Sequence, residues 1–82
     1  MTGIPFELDA DLNAEDDDGL NWSVLRAAVH PDVIKPGAVI TAGRGRYWSW
    51  VRVVRVDPDG QVHFQQISAA EAHEAGRLAS PT

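Results

Sequence analysis

Residues 4–12 alternate strictly between apolar and polar side chains. The apolar positions are Ile4, Phe6, Leu8, Ala10 and Leu12, and the positions between them are Pro5, Glu7, Asp9 and Asp11. A period of two with one apolar and one acidic face predicts a β-strand. Pro5 places this strand at a sheet edge, because proline cannot donate a hydrogen bond to a neighbouring strand. An isolated strand is not stable in water. It therefore pairs with its own chain, pairs with another molecule, or stays disordered.

Residues 13–19 predict a loop, and residues 22–29 predict a short helix. Trp22, Leu25 and Val29 follow the spacing i, i+3, i+7, which gives one apolar stripe. Asn21 or Asp18 would supply the N-terminal cap. Pro31 ends the helix, because the residue before a proline is pushed out of the helical region.

From Val33 onward the pattern predicts strands over residues 38–42, 48–56 and 61–67. The Asp57-Pro58-Asp59-Gly60 sequence predicts the turn of a hairpin, because proline presets the first turn dihedral and glycine supplies the positive one. Alternation in the second strand slips at Val53-Val54. We expect a bulge there, with both valines inward and both Arg52 and Arg55 outward. Strands bent in this way let a small sheet coil into a barrel.

The C-terminal part predicts a second short helix. Ser68 and Glu71 have the spacing of a capping box, and Gly76 closes the helix. A chain of 82 residues makes one domain. The expected organisation is an acidic N-terminal arm (residues 1–20), a β-barrel-like domain (residues 21–78) and a tail (residues 79–82).

Residues 34–67 resemble a small SH3-like barrel in general plan. Pro36 and Gly37 open a strand, a loop follows, and a tight hairpin at Asp59-Gly60 precedes the closing strand. The fold class expected is mainly β: a small, strongly bent antiparallel sheet or SH3-like open barrel, with one short N-terminal and one short C-terminal helix. Such barrels bind peptides, nucleic acid or sister subunits, so the resemblance does not select a function.

Charge is divided unevenly along the chain. The net charge is −5, of which residues 1–20 contribute −7, residues 21–67 contribute +3, and the remaining residues −1. Opposite-charge blocks in one short chain are expected to meet, within a molecule or between molecules.

Several chemistries are disfavoured. Cysteine is absent, which removes thiolate metal sites and cysteine nucleophiles. The aspartates of residues 9–20 do not match the glycine and glutamate positions of an EF-hand. His30, His63 and His73 lie on three different predicted elements, and His63 is expected on an outward strand face. The serines have simpler structural roles, so we expect no catalytic residue. We also expect no cofactor, no metal and no small-molecule substrate.

The most distinctive feature is a cluster of arginines interleaved with aromatic residues between residues 44 and 55. Tryptophan, tyrosine and arginine are preferred anchors of protein interfaces, and the same residues can stack on bases and contact phosphates. With the apolar face of the arm, the cluster gives the predicted partner-binding residues. These are Ile4, Phe6, Leu8, Arg44, Arg46, Tyr47, Trp48, Arg52 and Arg55.

The preferred hypothesis is a non-enzymatic protein-interaction or assembly module in which the arm adds as an edge strand to a neighbouring sheet. The partner would be another protein or an identical subunit, which gives a homo-oligomer, and a viral or mobile-element structural component would fit this mode. The alternative is a nucleic-acid-binding or regulatory protein that uses the Arg44–Arg55 face. A third hypothesis is an inhibitor that presents the acidic segment as a decoy for nucleic acid.

The acidic net charge ranks nucleic acid second, because phosphate neutralisation usually needs a basic domain. We expect no membrane segment and, because residues 1–20 carry no basic residue, no targeting peptide. The expected location is the cytoplasm.

Overall fold

Five strands form one sheet within residues 6–76, the part of the chain that the computed structural model describes. They are β1 (Leu8–Asp9), β2 (Asn21–Val24), β3 (Val39–Arg44), β4 (Tyr47–Val56) and β5 (Gln61–Ile67). The strand order is β1-β3-β4-β5-β2, and the sheet curls into a half-barrel. The mainly β class is confirmed. The expectation of an antiparallel sheet is wrong for one pair, because β1 runs parallel to β3. The SH3-like resemblance is not confirmed.

The β4–β5 hairpin forms at the predicted turn. The Asp57 amide donates to the Gln61 carbonyl at 2.8 Å, and Gly60 takes the positive φ of +92° that the turn requires. A bulge interrupts the pairing as predicted, since Val53 lies opposite Phe64 and Arg55 opposite His63. The inward orientation expected for Val54 is wrong: this residue is the extra one in the bulge and is 40% exposed.

The β3–β4 hairpin is tighter than the sequence suggested. Arg44 pairs with Tyr47, so two residues, Gly45 and Arg46, make the turn, and Gly45 adopts a φ of +64°. Gly43 lies inside β3 opposite Trp48, where a methyl group would overlap the backbone of Tyr47 and Trp48. Glycine is required there by close backbone approach rather than by a special dihedral.

The N-terminal helix expected over residues 22–29 is not confirmed. Asn21–Val24 form β2, which pairs antiparallel with β5, and a single 3₁₀ turn follows at Leu25–Ala27. Main-chain bonds to β5 outweigh the helical spacing of three apolar residues, because a short helix needs tertiary support that this stretch does not have. A second 3₁₀ turn occupies Pro31–Val33.

Residues of the acidic arm contribute to the same core as the rest of the sheet. Leu8 and Ala10 lie in a buried cluster with side chains from all three long strands. The other members of that cluster are Ile34, Ile40, Ala42, Val51, Val53, Val62 and Phe64. Of the three outcomes considered for the arm, the structure therefore shows pairing with its own chain for Leu8 and Asp9. Ile4 lies outside the described residues, as does the tail at residues 79–82.

The C-terminal helix is confirmed as α1 (Ala69–Glu74). Its capping box is formed on one side by the Glu71 amide, which donates to the Ser68 hydroxyl at 3.1 Å. Ala72 is fully buried, and Glu71 pairs with Arg52 of β4 at 3.0 Å. Within residues 6–76 no helix is long and apolar enough to cross a membrane.

Candidate interaction site

Two aromatic side chains are strongly exposed at the tip of the β3–β4 hairpin (residues 44–48, the hairpin tip). Tyr47 is 79% exposed and Trp48 is 49% exposed. Both lie in the first two positions of β4, directly after the Gly45-Arg46 turn. Large aromatic side chains at a surface contribute little to folding there, and they are enriched at protein interfaces.

Trp48 also has a structural role. Its ring stacks on Phe6 with centroids 6.3 Å apart and an interplanar angle of 28°, and it meets Trp50 edge-on at 6.2 Å. Phe6 is 7% exposed, so Trp48 and the half-barrel together cover it. Tyr47 makes no such ring contact within the described residues. Ring contacts within the folded chain therefore account for the position of Trp48, but they do not account for the exposed position of Tyr47.

A groove of about 630 Å³ lies beside the hairpin tip (the tip groove). Residues 10–13 line it on the arm side, and Gln66 of β5 also contributes. The hairpin tip contributes Arg44, Arg46, Tyr47 and Trp48. This volume falls within the range of sites that bind small molecules or peptide side chains.

The arginines of the predicted basic face are mostly neutralised inside the molecule. Arg44 pairs with Asp9 at 3.1 Å, and that hydrogen bond raises the pKa of Arg44. Arg52 pairs with Glu71 at 3.0 Å. Arg55 pairs with Asp57 at 3.1 Å, which raises the pKa of Arg55. Within residues 6–76 Arg46 has no carboxylate at ion-pair distance.

The structure thus divides the predicted partner-binding residues into separate groups. Four of them surround the tip groove: Arg44, Arg46, Tyr47 and Trp48. Arg52 lies against α1, and Arg55 belongs to an ionic network at the β4–β5 turn. Phe6 and Leu8 are buried, at 7% and 0% exposure.

A second ionic arrangement was not expected from the sequence. His63 is 3% exposed, so its predicted position on an outward face is wrong. Its Nδ1 lies 2.6 Å from the Asp16 Oδ2, and its Nε2 lies 2.8 Å from the Asp57 Oδ2. The bulge brings Arg55 opposite His63, and Arg55 also reaches Asp18 at 3.6 Å. Val62, His63 and Phe64 are all buried, so the alternation of inward and outward side chains that an outward His63 requires does not hold in this part of β5.

Both carboxylates beside His63 are held in the ionised form. Partial burial raises the pKa of Asp16, but hydrogen bonds from the Leu20 amide, from His63 and from the Asp18 amide outweigh it, so the pKa lies below its ordinary value. The hydrogen bond from His63 lowers the pKa of Asp57, with a further contribution from Arg55. Each aspartate is therefore an acceptor at neutral pH.

Comparisons with protein-family models, with curated proteins and with solved structures find no match for this chain. No group of three or more histidine, cysteine, aspartate or glutamate side chains within residues 6–76 is arranged to hold a metal ion. A functional proposal for this chain therefore rests on its own geometry.

Proposed function

We propose that this protein is a non-enzymatic protein-interaction module whose tip groove binds an extended segment of a partner protein. The segment places an apolar or aromatic side chain against Tyr47 and Trp48, and a carboxylate within reach of Arg46. The observation that carries the proposal is the 79% exposure of Tyr47 beside a groove of about 630 Å³. Tyrosine, tryptophan and arginine at one site are the usual anchors of protein interfaces.

The charges around the groove support one carboxylate on the partner rather than a polyanion. Arg44 is already neutralised by Asp9, and the exposed Asp11 also lines the groove. Among the described residues that line the groove, Arg46 is therefore the cation that a ligand can pair with. Nucleic acid needs several free cations for phosphate contacts, whereas Arg52 and Arg55 are engaged with Glu71 and Asp57.

The arm receives less support than the groove as the binding element. Leu8 lies in the core, and the Ser23 hydroxyl of β2 donates to the Asp9 carbonyl of β1 at 2.6 Å. The Ala10 amide donates to the Gly43 carbonyl at 2.9 Å. Exchange of the arm between subunits requires these bonds to break and re-form, whereas the tip groove is accessible without any rearrangement of the described residues.

The proposal is tested by selecting ligands from a displayed library of random twelve-residue peptides on the full chain. Selected peptides are expected to share an aromatic or large aliphatic residue close to Asp or Glu. Tyr47→Ala and Arg46→Gln are expected to weaken binding of these peptides about tenfold or more, the usual cost of losing an interface anchor. Arg26→Gln is the matched control, because Arg26 is exposed and lines a separate, smaller groove.

Three results would count against the proposal. Selection could yield no shared sequence, or the selected peptides could bind Tyr47→Ala and wild type equally. A labelled single-stranded oligonucleotide could bind the full chain with steep salt dependence and lose affinity in Arg46→Gln, which would assign the surface to nucleic acid instead. Thermal unfolding of each variant confirms that a lost interaction is not a lost fold.

A further inference from the structure

His63 is the most deeply buried ionisable side chain among the described residues that bond with carboxylates. Its side chain is 4% exposed, and it lies between two turns that are far apart in sequence. Asp16 belongs to the acidic turn (residues 16–20), and Asp57 begins the β4–β5 turn. The two turns are joined through one imidazole ring.

The ring's neighbours define which protons it carries. An ionised carboxylate oxygen accepts a hydrogen bond and cannot donate one. The contacts at 2.6 Å to Asp16 and 2.8 Å to Asp57 are both hydrogen bonds only if both ring nitrogens carry a proton. Arg55 Nη2 is also 3.5 Å from the His63 Nε2, but the shorter contact to Asp57 is the one that fixes the Nε2 as a donor.

We propose that His63 is a proton-dependent clamp, which fastens the acidic turn to the β4–β5 turn as an imidazolium and releases the acidic turn when it loses a proton. This inference does not depend on the proposed binding function of the tip groove. A neutral ring keeps one donor, so one of its two nitrogens then faces a carboxylate with a lone pair. A buried contact between two acceptors is unfavourable.

The charged groups around the ring come from three elements. Asp16 faces it from the acidic turn, and Asp57 and Arg55 face it from the turn and from β4. Asp18 contacts Arg55 and affects the ring indirectly through that residue. β2, which pairs with β5 on the other side, has the sequence NWSV and adds no titratable group. When His63 loses its proton, the charged groups that remain in this network are three carboxylates, those of Asp16, Asp18 and Asp57, and the guanidinium of Arg55.

When the ring loses its proton, we expect Asp16, rather than Asp57, to separate from it. One of its carboxylate oxygens accepts from the Asp18 and Leu20 amides within the acidic turn, and the other accepts from His63. Asp57 has a second partner in Arg55, which holds it in place whatever the state of the ring. Release therefore separates residues 16–20 from β5, and the hydrogen bonds within the acidic turn then open more often.

The test is NMR of the uniformly ¹⁵N-labelled full chain. The titration starts at a pH where the ring nitrogens of His63 show the near-equal shifts of an imidazolium. As the pH is raised and this signature is lost, the protection of two amides in the acidic turn is expected to fall about tenfold, the scale of one charge-assisted hydrogen bond. These are the Asp16 amide, which donates to the Leu20 carbonyl, and the Gly19 amide, which donates to the Asp16 carbonyl. The Val53 amide, which donates to Ala38, serves as the internal control.

Two variants separate the clamp from a general loss of structure. Asp16→Asn removes the charge that holds the imidazolium and is expected to lower the protection of the same two amides even where the ring is protonated. Asp17→Asn is the matched control, because Asp17 is exposed and adjacent, and it is expected to behave as wild type. Loss of the His63 proton with no change in the protection of these two amides overturns the proposal, as does equal protection in Asp16→Asn and wild type.

Discussion

Asp16 and His63 are 47 positions apart in the chain, and the Asp16 Oδ2 lies 2.6 Å from the His63 Nδ1. This contact joins the acidic N-terminal segment to β5. It is one of three side-chain contacts that hold the acidic segment on the body of the domain, and the other two join Asp9 to Arg44 and Asp18 to Arg55. The opposite-charge blocks of the sequence meet within one molecule.

The first prediction concerns stability in acid. The pKa values of Asp16 and Asp57 are lower in the folded protein than their ordinary value, so the unfolded chain binds more protons. Their contribution to stability is fully present above about pH 4, the ordinary aspartate range, and is lost as the pH falls through the lower folded values. Urea midpoints measured from neutral to acidic pH are expected to decline over that interval.

Substitution of single aspartates tests whether Asp16 and Asp57 cause this loss of stability in acid. Asp16→Asn and Asp57→Asn are each expected to flatten the acid dependence of the urea midpoint, because each removes one carboxylate with a lowered pKa. Asp17→Asn, which removes an exposed carboxylate of the same turn, is the matched control. Equal slopes for all three variants would show that the network around His63 does not couple protonation to folding.

The second prediction concerns closure of the half-barrel. Ser23 of β2 donates to the Asp9 carbonyl of β1 at 2.6 Å, which links the two edge strands of the sheet. Ser23→Ala leaves that part-buried carbonyl with one partner fewer, so the free energy of unfolding is expected to fall by about 1 kcal/mol. Ser49→Ala is the control, because the Ser49 hydroxyl bonds locally to the Trp50 carbonyl. Equal urea stability of the two variants would contradict a closing role for Ser23.

The third prediction concerns the close approach of β3 and β4. Gly43→Ala forces a methyl group into the backbone of Tyr47 and Trp48, and it is expected to cost about 1–3 kcal/mol of stability, the usual range for overpacking. Gly45→Asn tests the turn instead. Asparagine tolerates the positive φ of that position, so the expected cost is well under 1 kcal/mol. Thermal unfolding that ranks the two variants in the opposite order would contradict this account.

Local chemistry made part of the fold predictable. The Asp57–Gly60 turn, the bulge at Val53-Val54 and the N-terminal cap of α1 at Ser68 are each specified by a few neighbouring residues, and all three are present. β2 was not predictable in this way, because its inward positions carry polar side chains. Asn21 is buried and donates to the Leu12 and Ala14 carbonyls, which inverts the usual pattern of a half-buried strand.

In the candidate site, too, features specified by neighbouring residues were predictable, whereas contacts between distant residues were not. Exposure of Tyr47 and Arg46 follows from a two-residue hairpin turn, which a few neighbouring residues specify. The pairing of Arg44 with Asp9 and of His63 with Asp16 depends on which strands become neighbours, and no short-range pattern encodes contacts between residues 35 and 47 positions apart. The sequence therefore indicated more free positive charge on this face than the folded protein has.

The central claim is that the tip groove is the binding surface, and amide chemical-shift mapping with a selected peptide tests it most directly. Adding the peptide to the ¹⁵N-labelled full chain is expected to shift residues 11–13 and 45–48, and to leave Leu25 and Gly60 beside the smaller groove unchanged. The Tyr47→Ala variant is expected to show no saturable shifts at the same concentrations. Shifts confined to the smaller groove, or shifts at the hairpin tip that persist in Tyr47→Ala, would contradict the account.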